Sequence, residues 1–155
     1  MKSEDRRLAA IMFTDIVSFS NMMSIDEDLA ISALDSKMSI LKSNLSDFDG
    51  NLIKLIGDGT LSSFESAVKA VECAVKIIKH IDKKCEFKIR IGIHLGEIIY
   101  KNNDVFGDGV NIASRLENLA EPGSILISKD VNDQLINRSG IRTESLGKHS
   151  IKGIG

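Results

Sequence analysis

The stretch from Lys54 to Leu61, KLIGDGTL, constrains the fold of this chain more than any other. Asp-Gly between two apolar runs is a strong hairpin signal, because glycine supplies the positive φ that a tight turn needs. It predicts two antiparallel strands, residues 51–56 and 60–64, with the carboxylate of Asp58 at the tip. It also strands a lysine, Lys54, among Leu52, Ile53, Leu55 and Ile56. A strand this apolar is expected in the middle of a sheet. An ammonium there must either snorkel to solvent or donate to a bound group.

Other elements follow from periodicity. Leu8–Phe13 is continuously apolar and predicts a strand buried on both faces, ending at Thr14-Asp15. A second carboxylate therefore stands just past a core strand. Ser24 and Glu27 form an S-x-x-E capping pattern. The helix it predicts carries Leu34, Met38, Leu41 and Leu45 on one side and stops before Asp49-Gly50. An amphipathic helix is predicted over 66–81, with Ala67, Val71, Ala74, Ile78 and Ile81 on one face.

Residues 87–95 alternate: Phe87, Ile89, Ile91, Ile93 and Leu95 inward, Lys88, Arg90 and His94 outward. The parity then shifts to Ile98 and Tyr100, which predicts a bulge near Gly96-Glu97. A helix over 110–120, a strand from Ser124 to Ile127, a short helix over 129–136 and a last strand toward His149 complete the order. That order is β-α-β-β-α-β-α-β-α-β. It predicts an α+β protein with a ferredoxin-like core, a mostly antiparallel sheet and flanking helices. The ending SIKGIG reads as the turn before one more strand, so the core is expected to lack its last strand.

A length of 155 residues with one proline and no low-complexity linker suits a single domain over 1–155. The net charge of −2, from 20 basic and 22 acidic residues, offers no basic surface for nucleic acid. Cys73 and Cys85 have no partner at metal-ligand spacing, and Cys73 reads as a small buried thiol. The amino-terminal MKSEDRR is followed by LAAIMF, a strand-length apolar run too short for export or for a membrane span. A cytoplasmic location is expected. His80, His94 and His149 are scattered singly and receive no chemistry.

Three constellations could carry chemistry. Asp15 and Asp58, if their strands are neighbours, pair two carboxylates in a way that suits Mg²⁺. Taken singly, each is as readily a turn former or a cap. Asn111 and Arg115, spaced i, i+4 early in a helix, share a face opposite Ile112, Leu116 and Leu119. They could grip phosphate or form a solvated polar face. Lys152 in the loop SIKGIG is a possible phosphate contact. There is no G-x-x-x-x-G-K-[ST] loop, and the Gly-Asp-Gly at 107–109 lacks a dinucleotide fingerprint.

Five motifs stand together in one order: FTDIVSFS at 13–20, KLIGDG at 54–59, GIHLGEI at 92–98, DVFGDGVNIASRLE at 104–117 and IKGIG at 151–155. In this the chain resembles the class III nucleotidyl cyclase catalytic domains, of bacterial type, over nearly its whole length. The resemblance implies an adenylate cyclase that makes cyclic AMP and pyrophosphate from ATP. It implies that Asp15, Asp58 and the carbonyl of Ile16 hold two Mg²⁺ or Mn²⁺ ions. The turn at 17–20, with Phe19 and Ser20, and Lys152 would meet the triphosphate. Lys54 and Asp104 would read the purine edge and favour ATP, and Asn111 and Arg115 would serve the transition state. It also implies a homodimer with shared active sites, and a chain cut from a longer sensor-linked or membrane protein. The alternatives are a guanylate cyclase and a non-catalytic dimerising regulatory module on the same fold. The GG[DE]EF signature of diguanylate cyclases is absent, and six phenylalanines with one tyrosine offer no RNA-stacking platform with basic neighbours.

Overall fold

The computed structural model describes residues 5–136 and 140–145. Its elements are β1 (Asp5–Ile16), α1 (Phe19–Ile25), α2 (Glu27–Asp47), β2 (Asn51–Ile56), β3 (Gly59–Phe64), α3 (Ala67–Lys84), β4 (Ile89–Lys101), β5 (Asp104–Phe106), α4 (Asp108–Leu119), β6 (Ile125–Ile127) and α5 (Lys129–Leu135). The strands form one sheet in the order β2-β3-β1-β4-β5, with β6 paired to β4. Among the described residues all pairings are antiparallel except β4 with β6. This is the expected α+β architecture with a ferredoxin-like core. The strand anticipated toward His149 lies outside the described residues. Among the described residues, no helix is long and apolar enough to cross a membrane.

Both faces of the sheet are covered. Ala10, Met12, Ile89, Ile91 and Ile93 pack under α2, α3 and α5, with Leu41, Val71, Ile77 and Val131. On the other face Ala9, Ile11, Phe13, Leu61 and Ile98 pack with Ala113 of α4. This overturns the bulge expected near Gly96-Glu97. β4 pairs with β1 in one unbroken register from Asp5↔Tyr100 to Ile16↔Ile89. The parity shift marks a change in which face is apolar, since Ile98 and Tyr100 belong to the α4 side. His94, expected outward, is buried under that helix and bonds Ser128 Oγ at 2.8 Å.

The bulge is in β2. Leu52 pairs with Ser62 but Lys54 with Leu61, so Ile53 is the extra residue. β2 also lies at the sheet edge, not at its centre, and Leu55 and Ile56 are exposed. The capping pattern at Ser24 is not used. Asp26 caps α2, accepting from Leu29 N at 3.1 Å, while Ser24 lies in the last turn of a separate short helix, α1. The buried stripe of α4 is Gly109, Ala113, Leu116 and Glu117, and Leu119 is exposed.

α4 lies close on β4 because Gly92 has no side chain. A Cβ there would stand 2.2 Å from Glu117 N and 2.6 Å from the Ala113 carbonyl oxygen. Both are main-chain atoms of a packed helix and cannot rotate away. Gly92→Ala is therefore expected to cost about 3 kcal/mol or more, near the upper end of overpacking costs. Urea denaturation of the variant against the parent chain measures this, and an unchanged midpoint would disprove the close packing.

Candidate active site

Thr14 of β1 pairs with Thr60 of β3, so the end of β1 meets the β2–β3 turn. There the Asp58 carboxylate accepts the Ile16 N–H, at 2.8 Å to Oδ2. A Cβ on Gly59 would lie 2.8 Å from the Thr14 carbonyl oxygen and 3.8 Å from Asp15 Cβ. The close approach allowed by Gly59 thus brings Asp15 and Asp58 to one end of the sheet, as the sequence reading expects.

Two cations hold this acid pair from opposite faces. From the α2 side comes Lys37, which is fully buried, its Nζ donating to the main-chain carbonyl of Asp58 at 2.5 Å. Burial pushes its pKa down to about 8, against the attraction of Asp58, Asp15 and Glu117. From the α4 side, Arg90 grips Asp15 with two prongs, Nε to Oδ1 at 3.1 Å and Nη2 to Oδ2 at 2.6 Å. Its Nη1 reaches the Asn118 carbonyl at 3.1 Å. The bond to Asp15 raises the guanidinium above even its ordinary pKa.

Glu117 completes the cluster. Its Oε2 forms an ion pair with Arg90 Nη2 at 3.3 Å but receives no hydrogen bond among the described residues, and its side chain meets that of Asp15. Burial first, and the charge of Asp15 second, push its carboxyl up to about 8, with Arg90 opposing.

None of these three residues was singled out in the sequence. The signal for Lys37 was its place between Ala33 and Leu41 on the buried stripe of α2. Arg90 was assigned to an outward face that turns out to be covered by α4. Glu117 closes the 104–117 motif, and the sequence reading gives it no role.

A second cluster forms beyond the β2 bulge. Without the extra residue, Lys54 would point to the α2 side of the sheet. With it, Lys54 stands opposite Leu61 and faces the α4 side. The far end of β4 and β5 curls over that same face, so that Val105 and Tyr100 pack with Ile53 and Leu61. Lys54 Nζ there donates to Asp104 Oδ2 at 3.1 Å. Asp104 Oδ1 accepts the Val105 N–H at 2.7 Å. That bond, with Lys54 adding to it, holds the Asp104 carboxyl below the usual range. Asn102 and Asn103, both at positive φ, make the turn that presents Asp104.

Asn111 is exposed and Arg115 half-buried on α4. Phe19 opens α1 and packs against the core, with Ser20 exposed beside it. Of the turn's amides, that of Val17 is taken by the Lys88 carbonyl at 2.9 Å. Lys152 lies outside the described residues. Among the described residues no group of three or more His, Cys, Asp or Glu side chains gathers as a metal cage. Asp15 and Asp58 supply oxygen donors only. That suits a hard divalent cation completing its shell with water or phosphate oxygens. Cys73 is buried, as expected, and its thiol is pushed up to about 12.

Comparison with known proteins places this geometry. Residues 1–155 match the family described as the adenylate and guanylate cyclase catalytic domain. A Rhizobium meliloti (strain 1021) protein named "Putative adenylate cyclase 3" is 36% identical over 96% of this chain and 27% of its own length. The "Receptor-type guanylate cyclase gcy-6" of Caenorhabditis elegans is 26% identical over 96% of this chain and 16% of its own. A solved adenylate/guanylate cyclase/hydrolase from Silicibacter pomeroyi superposes with a TM-score of 0.91 at 31% identity, covering 98% of this chain and 93% of the other. The chain thus spans about a quarter or less of these two curated relatives.

The raised Glu117 carboxyl has a consequence for stability. In the folded chain it binds its proton up to about pH 8, whereas unfolded it releases it near 4.5. Its contribution is fully present below 4.5 and is lost as pH rises through 8. The stability difference between the parent chain and Glu117→Gln is therefore expected to shift against the parent from pH 5 to 8. Urea titrations at those two pH values test this, and a difference independent of pH would refute it.

Proposed function

The chain belongs to the adenylate and guanylate cyclase catalytic domains, and we propose that it is an adenylate cyclase, converting ATP to cyclic AMP and pyrophosphate. The observation that carries this reading is the Lys54–Asp104 pair. Adenine presents an acceptor at N1 and a donor at its 6-amino group, which an ammonium and a carboxylate complement. Guanine presents the reverse, a donor at N1 and an acceptor at O6. Each member of the pair would then face a group of its own kind, and such unpaired polar contacts make discrimination steep.

Asp15, Asp58 and the Ile16 carbonyl would hold two Mg²⁺ or Mn²⁺ ions, whose charge favours loss of the ribose 3′-OH proton and departure of pyrophosphate. The ribose 3′-oxygen attacks the α-phosphorus in line, and the bond to the β-phosphate bridging oxygen breaks. Arg115 stabilises charge on the transferring phosphoryl group. Asn111 orients the ribose, and holding the 3′-OH near its target supplies much of the rate. The amides around Phe19 and Ser20, with Lys152, receive the triphosphate.

Two copies of the chain share each site. The helix geometry of α4 supports this, since Asn111 and Arg115 lie about 120° and about 160° round the helix from Glu117, which faces Asp15. The exposed apolar Leu55, Ile56 and Phe106, on the strands that carry Lys54 and Asp104, suit a second copy. The domain serves as the cytoplasmic catalytic part of a longer sensor-linked protein, a reading supported by its small share of the curated relatives.

Two outcomes are expected. Lys54→Ala should lower kcat/KM for ATP by about 100-fold, the loss of a charged hydrogen bond of about 3 kcal/mol. An unchanged value in steady-state assays would remove Lys54 from the site. Asp58→Ala and Arg115→Ala chains should each be inactive, and mixing them should restore one intact site per heterodimer. Folded, dimeric mixtures without activity would rule out shared sites.

A further inference from the structure

We infer that Glu117 is a positioning residue that takes Arg90 over from Asp15 when a divalent cation binds. The inference rests on the reading that Asp15 and Asp58 are the metal ligands.

Both Asp15 oxygens accept hydrogen bonds from Arg90. A divalent cation at Asp15 needs that carboxylate and repels the guanidinium beside it. Arg90 must therefore give way, but it is not free to leave. Its Nη1 is tied to the Asn118 carbonyl, and it stands on a core strand opposite Asp15.

Only a small turn of the guanidinium is available, and Glu117 lies in its path. Oε2 is already 3.3 Å from Nη2 and lacks a hydrogen bond. A buried carboxylate oxygen without a hydrogen bond is unfavourable, so the arrangement is open to improvement. The main chain of Glu117 is held in place, because it is pressed onto β4 at Gly92. The moving part is Arg90. With Arg90 on Asp15, Glu117 keeps only the 3.3 Å ion pair to Nη2, and its Oε2 receives no hydrogen bond among the described residues. With Arg90 on Glu117 and Asn118, Asp15 is released to the metal. The direction in which Arg90 points is thereby coupled to metal occupancy.

The test is Mn²⁺ affinity, read directly by the free-ion electron paramagnetic resonance signal and without turnover, in a double-mutant cycle. Glu117→Gln should weaken binding about 10-fold, as loss of a ligand-orienting partner does. Arg90→Gln should tighten binding by removing the competitor. In the Arg90→Gln background, Glu117→Gln should have little further effect. If Glu117→Gln weakens binding equally in both backgrounds, Glu117 acts on the ion directly and the inference fails. No change in either background overturns it as well. Asp15→Asn is the control for the premise: Mn²⁺ binding indifferent to it would bring down the metal reading together with the inference.

A variant-free readout guards against misfolding. On Mg²⁺ addition to the parent chain, the Arg90 Nε–H resonance should move as it loses Asp15, while its Nη2 protons stay protected from exchange. An Arg90 signal that Mg²⁺ leaves in place would contradict the hand-over.

Discussion

The unbroken ladder between β1 and β4 is the constraint on which the rest of the structure depends. Twelve residues of β1 face β4 in one register. A slip of one residue would send every side chain to the opposite face. With the register fixed, Asp15 stands opposite Arg90 and Phe13 opposite Gly92. Gly92 then admits α4, which brings Glu117 to Arg90 and sets the azimuth of Asn111 and Arg115. The acidic end of the sheet and the helix on its face are therefore placed by one set of backbone hydrogen bonds.

The two side-chain clusters differ in how they are made. Asp15 and Asp58 meet through close main-chain approach and are held by cations from both faces, one of them a lysine that is wholly buried. Such a lysine is costly unless it is bonded, and the Asp58 carbonyl receives it. Lys54 and Asp104 come from an edge strand and a short hairpin, and they meet because one extra residue in β2 reverses the face on which Lys54 stands. Bulges commonly re-aim side chains beside functional sites. Here the bulge decides whether the ammonium reaches the Asp104 carboxylate.

Much of this was legible in the sequence. The Asp-Gly turn gave β2 and β3, and the apolar run at 8–13 gave β1, because both depend on local chemistry. Asp15, Asp58, Lys54 and Asp104 were identified through the motifs that contain them, and the fold brings them together in pairs. What the sequence hid was tertiary. Alternation in β4 separates two faces but does not say that both are covered, so Arg90 and His94 read as outward and the change of parity read as a bulge. The apolar character of β2 suggested a central strand, although its exposed Leu55 and Ile56 lie at the edge. Lys37 was masked by its charge, since a lysine on a helix is solvated unless a partner lies beneath it. Ser24 and Asp26 both suit a helix start, and the choice between them depended on where the chain bends between α1 and α2.

The most direct measurement of the central claim is product identification. The concentrated chain is incubated separately with ATP and with GTP, with Mg²⁺ and then Mn²⁺, and the products are identified by mass spectrometry. The account predicts cyclic AMP from ATP, little or no cyclic GMP from GTP, and loss of the product in Asp15→Ala. Cyclic GMP as the main product would contradict the role given to Lys54 and Asp104. A dimeric chain that makes neither would contradict the catalytic reading itself.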